Sequence, residues 1–249
     1  MRRAALPVTL SAMITKDIQY QAGDKALTGY LADGSRGKPA PGILVCHQGG
    51  GLTDHARERA RMLAELGYVA FALDMYGEVA TSTEQAMAMI AALTKNPPLI
   101  AERARAGLAV LTSQPTTDRT RLAAIGFCMG GAIVLELART MPELACVVAF
   151  HPGLTGLPET DDRKVTAKVL VCAGVLDPLI PATARQRLID LLNTADADWQ
   201  LLTYGQAGHS FTDRTVDGFK MPGFFHHERT DHRAWAAMRQ LFDETLGAI

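Results

Sequence analysis

The hydrophobic pattern of the chain alternates between short, continuously apolar runs and longer stretches with apolar residues at helical spacing. Helical spacing predicts helices between the apolar runs. A hairpin at 14–32 and a surface loop at 33–42 precede the first apolar run. The first predicted helix, which ends at Leu66, has Arg57, Arg59 and Arg61 away from its apolar face, and the helical region 78–114 has a break at Pro97-Pro98 and a second helix near 100–111. Strands that alternate with helices are typical of an α/β fold, a mostly parallel sheet with helices on both faces. The runs that predict buried strands are 43–46, 68–75, 121–125, 145–150, 168–173 and 199–204.

Length and composition favour one domain with a sizeable core. The chain has 249 residues, of which 48% are hydrophobic and 20% charged, with a formal net charge of -1. Because no linker is evident, we assign residues 14–249 to a single domain and residues 1–13 to an N-terminal extension. The near-neutral charge gives no electrostatic case for nucleic acid or for an anionic membrane. The expected partner is therefore a small molecule.

The cysteines and the amino terminus favour a cytoplasmic protein. The four cysteines form no C-x-x-C pair and three lie in apolar runs, which indicates reduced thiols. The start is basic, but the apolar run after it is too short and too polar for a signal peptide. No run of about 20 apolar residues predicts a membrane span. No metal-ligand spacing is present, since adjacent His226 and His227 have no further ligands nearby, and no cofactor is expected.

The chemistry is predicted at the turn Gly126-Phe127-Cys128-Met129-Gly130-Gly131. It places a cysteine at the centre of a G-x-nucleophile-x-G turn between a predicted strand and a predicted helix. The glycines allow a sharp turn, and free N–H groups at the start of the helix favour a thiolate at Cys128. The alternative is a small residue that only packs at a strand–helix junction.

Asp177 and His209 are the expected partners of Cys128. Each follows a predicted strand, so all three should lie at the edge formed by the carboxyl ends of the strands. A histidine can activate the thiol, and a carboxylate can orient the histidine. The order nucleophile, acid, histidine is the order of the α/β-hydrolases. Taken singly, His209 can be a structural histidine and Asp177 a helix cap or a turn residue.

The oxyanion that forms when a nucleophile attacks a carbonyl needs preorganised N–H donors. We predict the backbone N–H of Met129 as one donor. The second is expected from the loop after the first apolar run, with Gly49 as the choice and Gln48 next. His47 and His151 also stand at strand ends, where we expect them to pack or to line the pocket rather than act as bases.

These motifs resemble those of the dienelactone hydrolases, or carboxymethylenebutenolidases. The resemblance covers nearly the whole chain after about residue 14. It implies a single-domain α/β-hydrolase fold, often monomeric and without a cofactor, that opens lactones or cleaves esters. It rests on the cysteine turn at 126–131, on residues 174–181, on Gly208-His209-Ser210-Phe211 and on His232-Arg233-Ala234-Trp235.

Two departures from the family pattern concern the substrate. Gln48 stands where archetypal members have a glutamate that helps to activate the thiol. An amide cannot take a proton, so activation is expected from His209, and Gln48 is expected to hydrogen-bond the substrate. The arginines that bind a substrate carboxylate in the family have no clear match. Thr212 or Asp213 occupies one equivalent position, with Arg214 just beyond.

The sequence as a whole predicts a cytoplasmic hydrolase of lactones or small carboxylic esters, present as a monomer or a small homo-oligomer. Three alternatives remain: a broad-specificity esterase or thioesterase of the same fold, a peptidase of the prolyl-oligopeptidase kind, and a non-catalytic thiol sensor or binding protein. The residues expected to line the pocket are Gln48, Tyr76, Phe211 and Arg214, with Phe224 and Phe225 as further candidates.

Overall fold

A computed structural model describes residues 13–154 and 163–249. Eight strands form its sheet: β1 Ile14–Ala22, β2 Lys25–Asp33, β3 Ala40–Cys46, β4 Val69–Leu73, β5 Thr117–Phe127, β6 Leu144–Phe150, β7 Lys168–Gly174 and β8 Trp199–Tyr204. Their order across the sheet is β1-β2-β4-β3-β5-β6-β7-β8. β2 pairs antiparallel with β1 and β4, and all other neighbours are parallel. The predicted mostly parallel sheet is confirmed.

Among residues 13–154 and 163–249, six helices connect or follow the strands: α1 Asp54–Glu65, α2 Thr83–Thr94, α3 Pro97–Thr112, α4 Met129–Thr140, α5 Ala182–Thr194 and α6 Glu228–Leu246. A short 3-10 turn spans Val216–Phe219. The sequence predicted a break at Pro97 and a second helix from about residue 100. In the structure Pro97 begins α3, because a proline at the first helical position sacrifices no hydrogen bond.

Strands alternate their side chains between two apolar layers, one on each face of the sheet. In β3, Leu44 and Cys46 pack in the layer that contains α3, α4 and α5. Ile43 and Val45 pack in the opposite layer, which contains α1 and α6. All four are completely buried, as a continuous apolar run in a parallel sheet requires. The predicted α/β-hydrolase architecture, with helices on both faces, is confirmed.

The surface loop predicted at 33–42 is shorter than expected. Ala40, Pro41 and Gly42 belong to β3 and are buried. The pairing with β5 shifts register between Pro41 and Gly42, which accommodates a residue that has no N–H to donate. Because Pro41 and Gly42 are typical loop residues, the prediction placed the end of the loop at residue 42, whereas β3 begins at Ala40.

Arg59 of α1 departs from the expected polar face of its helix. Only 5% of the residue is exposed. Its Nη2 lies 2.7 Å from Asp231 Oδ2 of α6 and also donates to the carbonyl oxygen of Thr212. The guanidinium carbon lies 5.4 Å from the centre of the Trp235 ring. The expectation was wrong because the arginine joins α1 to α6 and to the loop after β8, partners that are distant in sequence.

The extension predicted at residues 1–13 lies outside the described residues except for Met13, so the domain boundaries stay a prediction. Within the described ranges, no helix has both the length and the apolar character that crossing a bilayer requires.

Candidate active site

Cys128 occupies the turn between β5 and α4 with φ 54° and ψ -115°. A non-glycine residue in such a conformation costs about 1–3 kcal/mol and persists only if its surroundings hold it. The Cys128 N–H is shared between the carbonyl oxygen of Phe150 at 3.0 Å and Nδ1 of His151 at 3.2 Å. Its carbonyl oxygen accepts from the N–H groups of Ala132 and Gly153. Four contacts thus fix the strained backbone.

The glycines around Cys128 are required by close approach of the backbone. A Cβ at Gly126 would lie 2.0 Å from the carbonyl oxygen of Gly130. A Cβ at Gly130 would lie 2.2 Å from the carbonyl oxygen of Cys46 at the end of β3. Because both obstacles are backbone atoms, a side chain at either position forces the turn or the neighbouring strand to move.

His209 and Asp177 form a buried pair beside the turn. Nδ1 of His209 lies 2.7 Å from Oδ2 of Asp177, and both side chains are completely buried. The other carboxylate oxygen of Asp177 accepts the N–H of Leu179 at 2.8 Å. The backbone of His209 is held by Gly223 and Phe225, whose hydrogen bonds to it measure 2.7 and 3.2 Å. The imidazole orientation is therefore fixed from both sides.

Cys128 and His209 favour each other's charged form. Desolvation opposes the thiolate, but the charge on His209 and the N–H groups of Met129 and Gly49 hold the pKa of Cys128 below its ordinary value. Burial likewise opposes the imidazolium, but the charges on Cys128 and Asp177 raise the pKa of His209 to about 10. Nε2 of His209 is buried, and Cys128 makes the largest favourable contribution to the raised pKa of the ring.

The two expected oxyanion donors approach the same atom from different elements. Gly49 lies in the loop after β3, and Met129 is the first residue of α4. Both backbone N–H groups stabilise negative charge on the sulfur of Cys128 and so lower the pKa of the thiol. Since the start of a helix carries a partial positive charge, α4 adds to that stabilisation. Cys128 itself is partly exposed, so a substrate can reach it.

Tyr76, which the sequence predicts to line the pocket, lies near Cys128. Its hydroxyl donates to Sδ of Met129 at 2.8 Å. Burial and the charge on Cys128 keep the pKa of the phenol above its ordinary value, so Tyr76 is a neutral donor. Phe224 and Phe225 are half-buried, and the Phe224 ring centre lies 4.8 Å from that of His209.

The structure does not support substrate contact for Phe211 or Arg214. Phe211 is completely buried, with its ring centre 5.0 Å from that of His151, because the loop after His209 turns this side chain into the core. Arg214 points outward. Its side chain is 73% exposed and lies 3.9 Å from Glu228. Closeness to His209 in the sequence therefore did not predict where the side chains of Phe211 and Arg214 lie.

Comparison with known proteins decides the family, because the model of the dienelactone hydrolase family matches residues 27–246. The chain belongs to the dienelactone hydrolase family. The solved structure named m3DLH is 41% identical, covers 94% of this chain and 99% of its own, and superposes with a TM-score of 0.89. A dienelactone hydrolase-like promiscuous phosphotriesterase, P91 from metagenomic libraries, is 38% identical, with coverage of 95% and 100% and a TM-score of 0.89.

A curated relative from Methylorubrum extorquens, named "Putative carboxymethylenebutenolidase", is 28% identical over 213 residues, which are 81% of this chain and 73% of the relative. The family inferred from the motifs is thereby confirmed. As a member of the dienelactone hydrolase family, the protein is a carboxylic ester hydrolase with the α/β-hydrolase fold.

In this member of the family, both ends of the Gln48 amide are bound by the loop after β8. Its Nε2 donates to Oδ2 of Asp213 at 2.7 Å, and its Oε1 accepts the Ser210 hydroxyl at 3.2 Å. Burial disfavours the Asp213 carboxylate, but the nearby His55 and hydrogen bonds from Thr215 and Gln48 lower its pKa. A negative charge therefore lies directly behind Gln48, which the sequence did not predict.

A second unexpected feature is a polar chain behind the nucleophile. Nε2 of His151 lies 2.8 Å from Oγ1 of Thr212, and the same hydroxyl lies 3.2 Å from Nε2 of His55. All three side chains are buried. Burial, followed by the charge on His209, keeps the pKa of His151 well below 6.5, and burial lowers that of His55 to about 4. Both imidazoles are therefore neutral. In the sequence, these two residues were marked only by the position of His151 at the end of a strand and that of His55 in a predicted helix.

The other three cysteines are buried in the core and carry free thiols. Burial raises the pKa of Cys146 and Cys172 to about 12 and that of Cys46 further. Thiolate character is accordingly confined to Cys128. Among the residues that the structure describes, no three His, Cys, Asp or Glu side chains are grouped to hold a metal ion.

Proposed function

We propose that this member of the dienelactone hydrolase family opens lactones or cleaves small carboxylic esters with Cys128 as a covalent nucleophile. The proposal is carried by the pairing of Cys128 with His209, which lowers the pKa of the thiol, and by the other ring nitrogen of His209, which lies 2.7 Å from Asp177. A base that is itself oriented by a carboxylate is the arrangement that activates nucleophiles in hydrolases.

The first half of the reaction forms a thioester. The Cys128 thiolate attacks the carbonyl carbon, and the carbonyl oxygen becomes an oxyanion that accepts the N–H groups of Gly49 and Met129. The tetrahedral intermediate collapses, the C–O bond breaks, and the leaving alkoxide takes the proton from Nε2 of His209. For a lactone the new alcohol stays tethered to the acyl group.

The second half restores the enzyme. Water attacks the thioester while neutral His209 takes its proton, and Asp177 stabilises the imidazolium that forms. Collapse of this second intermediate breaks the C–S bond, which releases the carboxylic acid and returns the thiolate–imidazolium pair. A lactone thus yields one hydroxy acid, whereas an ester yields an acid and an alcohol. No step requires a cofactor.

The charges near the oxyanion loop favour a substrate without a carboxylate of its own. Asp213 is ionised and lies 2.7 Å from Gln48, next to the loop that carries Gly49. Arg214 points away from this region. A second carboxylate would be repelled here, so neutral esters should exceed their carboxylated analogues in kcat/KM. Equal values for matched pairs would contradict this expectation.

Substitution of Cys128 tests the mechanism. Cys128→Ala should lose at least about 10³-fold in kcat on p-nitrophenyl esters and unsaturated lactones, because no nucleophile remains. Mass spectrometry of the wild-type protein during turnover should show one acyl adduct on Cys128. Cys146→Ala, which removes a thiol from the core, serves as the control. Undiminished turnover by Cys128→Ala would refute the assignment.

The substrate panel separates the alternatives of the same fold. Acyl thioesters test for a thioesterase, and an aryl phosphotriester belongs in the panel because the neighbour P91 is named for that activity. Stoichiometric alkylation of Cys128 without any hydrolysis across the panel would instead favour a thiol sensor or binding protein. The cytoplasmic location and the monomeric or small-oligomeric state stay predictions.

A further inference from the structure

The backbone of the nucleophile is bound by a side chain to which the reaction above assigns no role. The Cys128 N–H is shared between a main-chain oxygen, that of Phe150, and the imidazole nitrogen Nδ1 of His151. An unprotonated nitrogen is required at this position, because a second N–H would face the Cys128 N–H directly. His151 itself has φ 38°, so a strained backbone holds its ring beneath the turn.

Thr212 selects the tautomer that can accept. With Nδ1 unprotonated, the neutral ring carries its proton on Nε2, which lies 2.8 Å from Oγ1 of Thr212 and donates to it. The hydrogen of the threonine hydroxyl is then free for Nε2 of His55 at 3.2 Å. Without the hydroxyl, the Nε2–H of His151 loses its acceptor, and only the Cys128 N–H still favours the tautomer with an unprotonated Nδ1.

The groups that face His151 also keep it neutral. Its ring centre lies 5.2 Å from that of His209 and 5.0 Å from that of Phe211. Burial and the positive charges on His209 and Arg59 all disfavour a second positive charge. The imidazolium of His209 is therefore formed beside an uncharged ring, which does not compete for the Cys128 thiolate.

We propose that His151 is a positioning residue for Cys128: Thr212 locks it as the Nε2–H tautomer, and its Nδ1 holds the nucleophile's N–H. This contact keeps the backbone at φ 54°, the conformation in which the sulfur faces the N–H groups of Gly49 and Met129. The expected effect on kcat rests on the proposed function, whereas the expected tautomer of His151 does not.

The kinetic test compares Thr212→Val with Thr212→Ser. Valine has nearly the same shape but no hydroxyl, whereas serine keeps it. Since one hydrogen bond is at stake, Thr212→Val should lower kcat about 3- to 10-fold with little change in KM. The midpoint of the pH profile for Cys128 alkylation by iodoacetamide should rise as well. Thr212→Ser should retain most of both properties. Identical kcat and midpoint in Thr212→Val and Thr212→Ser would overturn the proposal.

A second pair of variants separates positioning from loss of folding. In His151→Asn the amide oxygen replaces Nδ1 as acceptor, and asparagine tolerates positive φ. His151→Leu offers no acceptor. The asparagine variant should therefore be the more active of the two, and thermal unfolding shows whether each one is folded. Equal activity in two folded variants would contradict a role for the contact.

The tautomer is measured directly by NMR of the protein with ¹⁵N-labelled histidine. The chain has seven histidines, and the His151 signals are those missing in His151→Asn. We expect unprotonated Nδ1 and protonated Nε2 from pH 6 to 9. A protonated Nδ1 or a titration within that range would overturn the proposal. This result does not depend on hydrolysis, so it stands or fails independently of the outcome of Cys128→Ala.

Discussion

Replacement of Gly130 by alanine tests how the start of α4 and the end of β3 together position the oxyanion donors. Gly130 follows Met129, whose N–H is one donor. The Cβ of an alanine would lie 2.2 Å from the carbonyl oxygen of Cys46 and 2.6 Å from that of His47. The second donor, Gly49, comes two residues after His47. The substitution therefore pushes the two donors apart.

The size of the displacement follows from these contacts. A C–H group and a carbonyl oxygen approach to about 3.3 Å, so the loop or the helix must move by about 1 Å. Misplacement by that distance at a reacting centre can cost about 100-fold in rate. Helix propensity acts in the opposite direction, since alanine is better than glycine by up to about 1 kcal/mol. The overpacking cost of about 1–3 kcal/mol exceeds it.

We therefore expect Gly130→Ala to lower kcat on p-nitrophenyl acetate about 100-fold and to lower Tm. Gly205→Ala is the matched control, because its Cβ would have nothing within 4 Å. Both variants should be assayed for kcat, KM and thermal unfolding. If Gly130→Ala is more stable than the wild type and keeps kcat within about twofold, the close approach of α4 to β3 does not set the donor geometry, and the reasoning fails.

Three further substitutions or modifications follow from the contacts of the site and of the core. Asp177→Asn should lower kcat by about 10²- to 10⁴-fold with little change in Tm, since it removes the charge that stabilises the His209 imidazolium; wild-type kcat would show that no charge is needed. Iodoacetamide at pH 7 should modify one thiol per folded chain, that of Cys128, because its pKa is lowered and the other thiols are buried with raised values; mass spectrometry that finds a second modified thiol would contradict this. Arg59→Met should cost about 3–5 kcal/mol in urea unfolding, because it removes the arginine from buried Asp231, whose remaining partner, Nε2 of His226, lies 3.9 Å away. The double variant Arg59→Met/Asp231→Leu should recover part of that loss, and simple additivity of the two single effects would be the contrary result.

The positions of the strands and of Cys128, Asp177 and His209 were accessible from the sequence because local patterns determine them. Continuous apolar runs mark strands that are buried on both faces, and glycines on either side of Cys128 mark a sharp turn. Parallel strands joined by helices bring their carboxyl ends to one edge of the sheet. Residues that follow different strands therefore converge even when, like Cys128 and His209, they lie far apart in the chain.

Contacts between loops and helices were decided by the tertiary structure alone. Gln48 pairs with Asp213 across 165 positions, and Arg59 pairs with Asp231 across 172. No periodicity relates such residues, because the direction of a side chain in a loop depends on which surfaces the fold brings against it.

The dependence of side-chain direction on the surrounding fold also explains the contacts of Thr212 with His151 and His55 and the burial of Phe211. The sequence by itself determined the family, the fold and the residues at the carboxyl edge of the sheet. Only the tertiary structure decided that the neutral ring of His151 contacts the Cys128 N–H and where buried charges lie, since both depend on packing between distant segments rather than on local spacing.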